Sequence, residues 1–389
     1  MRILVLSPVF PYPPFDGDRI RIFNIIKQLK NAGRHKLHLV TFCRADEESL
    51  KPQLKKYFDT VDTVIIDKKE IISGALKGIF SAMPLNAAAY ENTKMKELVR
   101  AAVDKYRPGL IFTYRLRMAQ YAEGYAVPKV IDYVDSLALF MKRSAVFESS
   151  VFKKLYYIFD APRVEKYERK IAADFESVFI NSEEDAQYLG NKNIITAPNG
   201  AMKAGKAVRA DRKGIFTAGF MGNMPYGPNR DAVLYFIKNV WKKTFNNDKN
   251  IRLVIAGNGS EMFAGLTGNG NVELKGNVKN VEEEISSWDI SVVPVRYGAG
   301  RQNKVMDCWA CGVPVVAAPF AAKGVYGRDG YNLLIAENAG AYAEKIMLLR
   351  NKPALGRKIA SNAKLTLDKY FDWDKTGKII NNAVMKAAK

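Results

Sequence analysis

The sequence predicts an α/β protein with two doubly wound domains, each a parallel sheet covered by helices on both faces. Strand-like and helix-like patterns alternate almost throughout the chain, and a basic stretch without apolar periodicity divides the alternation into two series. A chain of 389 residues that is 48% apolar is also large enough for two cores. We therefore predict an N-terminal domain over 1–200, a linker over 201–213 and a C-terminal domain over 214–372.

The first series opens on a short apolar run that is typical of a buried strand. A first helix is predicted over 19–30, ended by Gly33, because its apolar residues recur with helical spacing. Strands are predicted at 2–7, 37–42, 63–66, 110–113, 129–133, 178–181 and 194–196.

The second series repeats this alternation after the basic stretch. Strands are predicted at 215–221, 252–256, 272–274, 290–295, 314–317 and 333–335, and a last helix over 373–389. In doubly wound domains ligands bind beyond the carboxyl ends of the strands, so two such domains facing a central cleft would line it with strand-to-helix loops.

Composition excludes several classes of protein. The longest apolar candidate for a membrane span, 71–83, is short and interrupted by Lys77, and the first residues read as a strand rather than a signal peptide. Three cysteines are too few for a disulfide framework, and Cys308 and Cys311 are expected to pack in the core, because no second pair supplies zinc ligands. We expect a cytoplasmic protein without a metal site.

The formal net charge of +20 suggests anionic partners. Two amphipathic stretches, 19–36 and 151–170, combine basic and apolar residues. Either they are solvated faces over the core, or they place the protein on an anionic membrane surface. Binding to nucleic acid is the third alternative, but no nucleic-acid motif accompanies the charge.

The loop after the first strand is rich in prolines and ends at a helix N-terminus. It lacks the GxGxxG spacing of a dinucleotide-binding turn. Gly17 lets backbone approach a ligand, and the helix beginning near Asp18 offers N–H groups to an anion. The alternative for Asp18 is an ordinary helix cap.

The strongest local signal is a glycine-rich loop that leads into a helix, with Gly298, Gly300, Arg301 and Lys304 in succession. Open amides, the positive helix end and two cations three residues apart suit a diphosphate. Asp307 follows on the same predicted helix face, where its carboxylate can accept hydrogen bonds from ribose hydroxyls. We therefore predict a nucleotide diphosphate site here.

The sequence resembles glycosyltransferase family 4, whose members are retaining enzymes with the GT-B fold of two Rossmann-like domains. The most specific stretch, Lys304 to Val316, is similar to the family's K-x-x-E-A-x-A-x-G-x-P-V-V pattern. Nearly the whole chain takes part, through the runs PPFDG at 13–17, NSE at 181–183, PNG at 198–200, MGNM at 221–224, PN at 228–229, GNG at 257–259, GNV at 276–278 and DG at 329–330, and through Trp373.

The resemblance implies roles for further residues. Gly222, Asn223, Asn277 and Val278 would contact the nucleotide, and the segment from Trp373 would return to the N-terminal domain. The acceptor-side polar residue of the family falls in a run with two carboxylates. Asp135 is our first candidate to orient or deprotonate the acceptor hydroxyl and Asp132 the second, with a helix cap as the alternative for Asp135.

Two departures from the family pattern concern the donor site. Of the two glutamates often found eight positions apart, the first is Ala299 here and the second is Asp307. The Arg and Lys that many members carry just after the first strand of the C-terminal domain are also missing, since this chain has Asn223-Met224-Pro225-Tyr226 there. We therefore expect Arg301 and Lys304 to replace them as diphosphate ligands.

The implied reaction is retaining, metal-independent transfer of a sugar, of the hexosyltransferase type, from a nucleotide-diphosphate sugar to a glycan or polyprenyl-diphosphate-linked acceptor in surface-polysaccharide assembly. The nucleotide sugar is a substrate and no cofactor is implied. The alternatives are a GT-B-like nucleotide-sugar epimerase, and a non-catalytic relative that binds a partner protein.

Overall fold

A computed structural model describes residues 1–33, 35–203, 214–267 and 270–389. The described residues form two compact units: 1–145, 151–199 and 373–389 make the N-terminal unit, and 146–150 with 200–372 make the C-terminal unit. The predicted linker, 201–213, lies outside the described residues from position 204 onward.

A parallel sheet forms the centre of the N-terminal unit, with the strand order β3-β2-β1-β4-β5-β6-β7. Its strands are β1 (Arg2–Ser7), β2 (Lys36–Cys43), β3 (Thr60–Ile65), β4 (Leu110–Tyr114), β5 (Lys129–Val134), β6 (Ser177–Ile180) and β7 (Ile194–Thr196).

Helices cover this sheet and connect its strands. They are α1 (Gly17–Asn31), α2 (Lys51–Leu54), α3 (Lys68–Gly78), α4 (Leu85–Ala88), α5 (Thr93–Tyr106), α6 (Leu137–Phe147), α7 (Val151–Asp174) and α8 (Glu183–Leu189). Two clusters of buried apolar residues pack against the sheet and these helices.

A second parallel sheet organises the C-terminal unit, with the order β10-β9-β8-β11-β12-β13. Its strands are β8 (Phe216–Met221), β9 (Ile251–Ala256), β10 (Val272–Lys275), β11 (Ile290–Val293), β12 (Val315–Ala317) and β13 (Leu334–Ile335).

The helices of the C-terminal unit pack around one apolar core. They are α9 (Gly227–Phe236), α10 (Lys242–Thr244), α11 (Val281–Ser286), α12 (Asn303–Ala310), α13 (Pro319–Lys323), α14 (Ala339–Asn351) and α15 (Pro353–Tyr370), with a π-helical turn, Ile237–Trp241, between α9 and α10. Both sheets have the order of a doubly wound domain, which confirms the predicted fold class.

The last helix, α16 (Trp373–Ala387), belongs to the N-terminal unit and packs along α1. The Gln28 amide donates to Asp374 over 2.8 Å, and His35 Nε2 lies 2.9 Å from the amide oxygen of Asn381. A Cβ at Gly377 would lie 2.6 Å from the Gln28 side chain, so the close approach of the two helices requires a glycine there.

The first basic stretch places most of its apolar stripe and two of its arginines in the core. Arg21 of α1 is completely buried, Arg19 is 7% exposed, and Ile22, Ile25, Ile26 and Leu29 lie in the core, whereas Lys27 and Lys36 are exposed. A helix that has its apolar stripe in the core offers none of it to a membrane. None of the described helices is long and apolar enough to cross a bilayer.

Candidate active site

In the N-terminal unit, polar residues gather where β1, β4 and β5 end. Asp16 caps α1, since its carboxylate accepts from the backbone N–H of Arg19 over 2.9 Å. The N-cap of α1 is therefore Asp16, and the alternative that Asp18 caps this helix is wrong. Gly17 is exposed, and a Cβ added there would meet nothing within 4 Å, so the chain is open at this point.

Asp18 instead forms an ion pair with Arg115, the residue that follows β4. The Tyr114 hydroxyl donates to the backbone oxygen of Asp18 over 2.8 Å. Burial opposes the charge on Asp18, but the guanidinium of Arg115 more than compensates and lowers the pKa of this carboxyl. The sequence analysis did not identify Arg115, although its place at a strand end was a usable signal.

Two non-glycine residues of this cluster have left-handed backbone: Arg115 has φ 67° and Val134 has φ 70°. Such angles are costly, above all for a β-branched residue. Val134 also lies at a shift in the register between β5 and β6. The distortion turns the chain between the two predicted carboxylates, Asp132 and Asp135.

Asp132 is a buried partner of Arg21. Arg21 Nε lies 2.8 Å from Asp132 Oδ2 and Nη2 lies 3.0 Å from Oδ1, and both side chains have no exposed surface. Arg21 Nη1 also donates to Ala197 O and Asn199 Oδ1. These contacts indicate a structural role for Asp132, whose carboxylate positions Arg21.

Asp135 differs in its contacts and its pKa. Burial, with the nearby Asp185 carboxylate, raises its pKa to about 7, and its Oδ1 accepts no hydrogen bond from the described residues. Ser136 caps α6 through the N–H of Leu139, and Glu168 accepts from Leu137 N–H over 2.7 Å, so the cap alternative for Asp135 is wrong. A carboxyl that titrates near neutrality suits proton transfer.

In the C-terminal unit, Gly298 and Gly300 shape the loop between β11 and α12, with φ of 143° and 67°. Only glycine adopts the first of these angles easily. Helix α12 begins at Asn303, so Arg301 precedes the helix and Lys304 lies in its first turn. Arg301 is therefore not part of the helix, and the two cations do not share a helix face.

The Arg301 side chain is turned inward and is 6% exposed. Its Nη1 donates to Gly324 O over 2.5 Å, its Nη2 lies 3.3 Å from the Tyr326 hydroxyl, and its guanidinium lies against the rings of Tyr326 and Phe371. With these contacts Arg301 holds the glycine-rich loop in place.

Lys304 has a different environment. Its ammonium group donates to two neutral amide oxygens, Asn229 Oδ1 at 3.0 Å and Gln302 Oε1 at 3.1 Å. Within the described part of the chain no carboxylate lies within ion-pair distance of it. Burial lowers the pKa of Lys304 to about 8, because the charge is poorly compensated. An anionic ligand would relieve that cost.

Asp307 lies one turn further along α12. Burial raises its pKa to about 7, and the nearby charge of Lys304 offsets only part of this effect. Its carboxylate makes no side-chain hydrogen bond with the described residues, so it can accept bonds from hydroxyl groups.

Three further loops are joined to each other at the same edge of the sheet. Gly257 N–H donates to Gly276 O over 3.0 Å, and a Cβ at Gly257 would lie 2.0 Å from Gly222 O. The Asn229 amide donates to Asn223 O over 2.9 Å while its oxygen accepts from Lys304. Asn229 therefore connects the loop after β8 with α12, a role that its place in the PN run at 228–229 does not reveal.

Asn277 and Val278 follow β10, the outer neighbour of β9. Asn277 is exposed and Val278 is half-buried. Strands β10, β9, β8 and β11 are neighbours, so the loops that carry all the predicted nucleotide contacts leave one edge of the sheet. Ligands of doubly wound domains bind at such an edge.

Cys43, Cys308 and Cys311 are buried thiols, and burial raises the pKa of Cys311 to about 11. They are packed as core residues, as predicted for Cys308 and Cys311. Across the described ranges no group of three or more His, Cys, Asp or Glu side chains has the arrangement of a metal site.

Residues 215–352, most of the C-terminal unit, match the model of the family described as Glycosyl transferases group 1. Over 387 residues the chain is 20% identical to a curated Klebsiella pneumoniae protein, "Uncharacterized 44.6 kDa protein in cps region", with 95% of this chain and 96% of the relative covered.

Two solved structures are similar over almost their whole length. Anabaena Alr3699/HepE in complex with UDP has a TM-score of 0.68 at 15% identity, covering 99% of this chain and 100% of that one. A variant of S. aureus TarM in complex with fondaparinux, α-GlcNAc-glycerol and UDP has a TM-score of 0.69 at 13% identity, with coverage of 99% and 100%. These likenesses show that the chain has the GT-B fold, and with the family match they support a glycosyltransferase.

Proposed function

We propose that this protein is a retaining glycosyltransferase that moves a sugar from a nucleotide-diphosphate donor to a glycan or lipid-linked acceptor. The observation that carries the proposal is Lys304: a half-buried ammonium group that donates to two neutral amide oxygens, beside a glycine-rich turn. The family match over 215–352 and the UDP bound to both similar structures support a nucleotide-sugar donor.

The donor binds on the C-terminal unit in this proposal. Lys304 contacts the diphosphate, Arg301 keeps the loop of Gly298 and Gly300 in shape, and Asp307 accepts from the ribose. Gly222, Asn223, Asn277 and Val278 surround the nucleotide. Because Lys304 is already fixed by two hydrogen bonds, it stabilises the charge that develops on the departing diphosphate without reorganising.

Asp135 acts on the acceptor, and Asp132 holds the neighbouring Arg21. The acceptor oxygen bonds to the anomeric carbon on the face from which the diphosphate leaves, so configuration is retained. The proton of the acceptor passes to Asp135 or to the leaving phosphate oxygen. Lys304 supplies positive charge, and in this proposal the reaction uses no metal ion and no cofactor.

Surface-polysaccharide assembly is the proposed setting. The Klebsiella relative is described as a protein of the cps region, and the cationic chain suits an acceptor carried on an anionic membrane. We propose that the protein works at the inner face of the membrane, attached peripherally, on a polyprenyl-diphosphate-linked or polysaccharide acceptor.

A donor screen tests the proposal. Thermal-shift measurements with uridine, guanosine and adenosine diphosphate sugars identify the donor, since a ligand that binds only the folded state raises the melting temperature. NMR of the product formed with that donor then gives the anomeric configuration. We expect one nucleotide class to stabilise the protein, and transfer with retention.

Other results would replace the proposal. Epimerised donor without transfer would favour the epimerase alternative, and nucleotide binding without any chemistry would favour a non-catalytic partner protein. A product with inverted anomeric configuration would contradict only the retaining mode of the proposed reaction.

A further inference from the structure

Helix α3 with the turn after it, and the first three turns of α7, expose an unusual number of large apolar side chains. Their exposed fractions run from 42% at Ile79 to 94% at Phe80. We call this set the α3–α7 ridge: Ile72, Leu76, Ile79, Phe80, Val151, Phe152, Leu155, Ile158 and Phe159.

The two halves of the ridge are joined. Arg163 of α7 donates to Gly78 O and Met83 O, at 2.7 Å each, and to Ser81 O between them, so it holds the chain that follows α3. The Asp160 carboxylate accepts from Leu85 N–H over 3.0 Å in the same region. The apolar side chains of both elements therefore belong to one surface.

The exposed side of α7 is opposite to its packed side. Tyr157 contacts the ring of Phe140 edge-on, and Asp160 and Val164 are buried. At about 100° per residue, the ridge residues of 151–159 cover an arc of about 120° that faces away from these contacts. An ordinary surface helix places its apolar stripe on the core, and this segment does the reverse.

Basic residues border the apolar arc. Lys154 is exposed about 40° beyond one edge of the arc, Lys77 is exposed beside Leu76, and 151–159 contains no acidic residue. A protein partner would have to bury these ammonium groups, and lysine is depleted in protein interfaces. At a bilayer surface the apolar side chains enter the acyl boundary while lysines reach the phosphates.

We propose that the α3–α7 ridge docks the protein on a bilayer that contains anionic lipids. In this proposal the ridge, and not the first basic stretch, is the membrane-binding element, because most apolar residues of that stretch lie in the core. This inference specifies the membrane contact in the proposed function and rests on that part of it, but it does not depend on the chemistry of sugar transfer.

Vesicle sedimentation tests it with the full chain. The vesicles are phosphatidylcholine alone, or phosphatidylcholine with about 30% phosphatidylglycerol. The variants are Phe80→Ser with Phe152→Ser, Lys77→Gln with Lys154→Gln, and the control Leu365→Ser, whose side chain is 60% exposed on α15. We expect wild type to bind the anionic vesicles, and the aromatic variant to bind on the order of tenfold or more weakly.

The lysine variant should lose about fivefold or more on anionic vesicles only, and Leu365→Ser should bind like wild type. Thermal shift by the donor should be unchanged in all variants, which separates failure of docking from failure of the proposed activity. Equal vesicle binding by wild type and the Phe80/Phe152 variant would overturn the proposal. Absence of vesicle binding by wild type would also overturn it. If wild type instead self-associates and the Phe80/Phe152 variant abolishes that self-association, the ridge binds a second copy of the chain and the membrane proposal is wrong.

Discussion

Arg21 and Asp132 form a bidentate ion pair, with 2.8 Å between Nε and Oδ2 and 3.0 Å between Nη2 and Oδ1. Neither side chain has any exposed surface. The pair joins α1 to β5. Two further bonds from Arg21, to Ala197 O and Asn199 Oδ1, add the segment after β7. The most deeply buried cation of the N-terminal unit thus fixes three separate parts of the chain beneath the polar cluster of Asp18, Arg115 and Asp135.

Asp132→Ala should strongly destabilise the protein. The substitution leaves the Arg21 guanidinium buried without its carboxylate, and removing one partner of such a pair typically costs about 3–5 kcal/mol of unfolding free energy. Urea unfolding followed by circular dichroism measures the loss. Asp368→Ala, which breaks an exposed pair with Lys364, is the control and should cost less than about 1 kcal/mol. Comparable losses for the two variants would contradict this assignment.

This pair could not be predicted from the sequence, because its partners are far apart in the chain and meet only in the folded protein. Arg19 and Arg21 were predicted only as members of an amphipathic basic stretch, since composition and spacing do not show whether an arginine has a buried carboxylate to bind. The same limit applies to Asp18 and Arg115. What could be predicted were the strand ends that carry them, because the position of a loop follows from the strand pattern.

Asp135 predicts an acidic limb in the pH profile of transfer. Its pKa is about 7, raised by burial and by Asp185, so the carboxylate able to accept a proton is lost as the pH falls below 7. We expect kcat/KM to rise with pH through about 7. Asp135→Asn should lower kcat by about 10²–10⁴-fold and remove that limb, with little change in nucleotide affinity.

Asp185→Asn is the diagnostic companion of this test. It removes a like charge next to Asp135, so the limb should move to lower pH while activity is retained. A limb that stays in place in Asp135→Asn would assign the titration to another group.

Lys304 predicts an alkaline limit for donor binding. Its pKa is about 8 in the free protein, and only the protonated form attracts a diphosphate. Above about pH 8 the dissociation constant of the nucleotide should therefore rise, up to about tenfold per pH unit. Lys304→Met should bind about 10–100-fold more weakly at pH 7 and lose this dependence. Calorimetric titration over pH 6.5–9.5 measures both effects, and a parallel pH dependence in the variant would exclude Lys304 as the phosphate ligand.

The parallel strands were predicted well because the central strands of both sheets, such as β4, β11 and β12, are short, continuously buried apolar runs. The exception is β3, which starts at Thr60, three residues before the predicted start. This edge strand is largely half-buried and mixes Thr and Asp with its valines, so its apolar signal is weak. In the donor loop the sequence correctly indicated the glycines, but the start of α12 depends on left-handed backbone at Gly300. That turn sends Arg301 inward between aromatic rings, which residue spacing does not reveal.

Lys304→Met should also stabilise the protein while it abolishes transfer. The pKa of the lysine is lowered on folding, so the charged form is penalised in the native state below about pH 8. Replacing it by an apolar side chain of similar length should raise the free energy of unfolding by on the order of 1–2 kcal/mol at pH 7. The gain should shrink as the pH rises from about 8 toward the ordinary lysine pKa, because the native lysine is then neutral.

Thermal unfolding at pH 7 and pH 9.5 measures the difference, with Lys364→Met on an exposed surface as the control. A less stable Lys304→Met would mean that the bonds to Asn229 and Gln302 outweigh the cost of burying the charge, and that the site is not held ready for an anion.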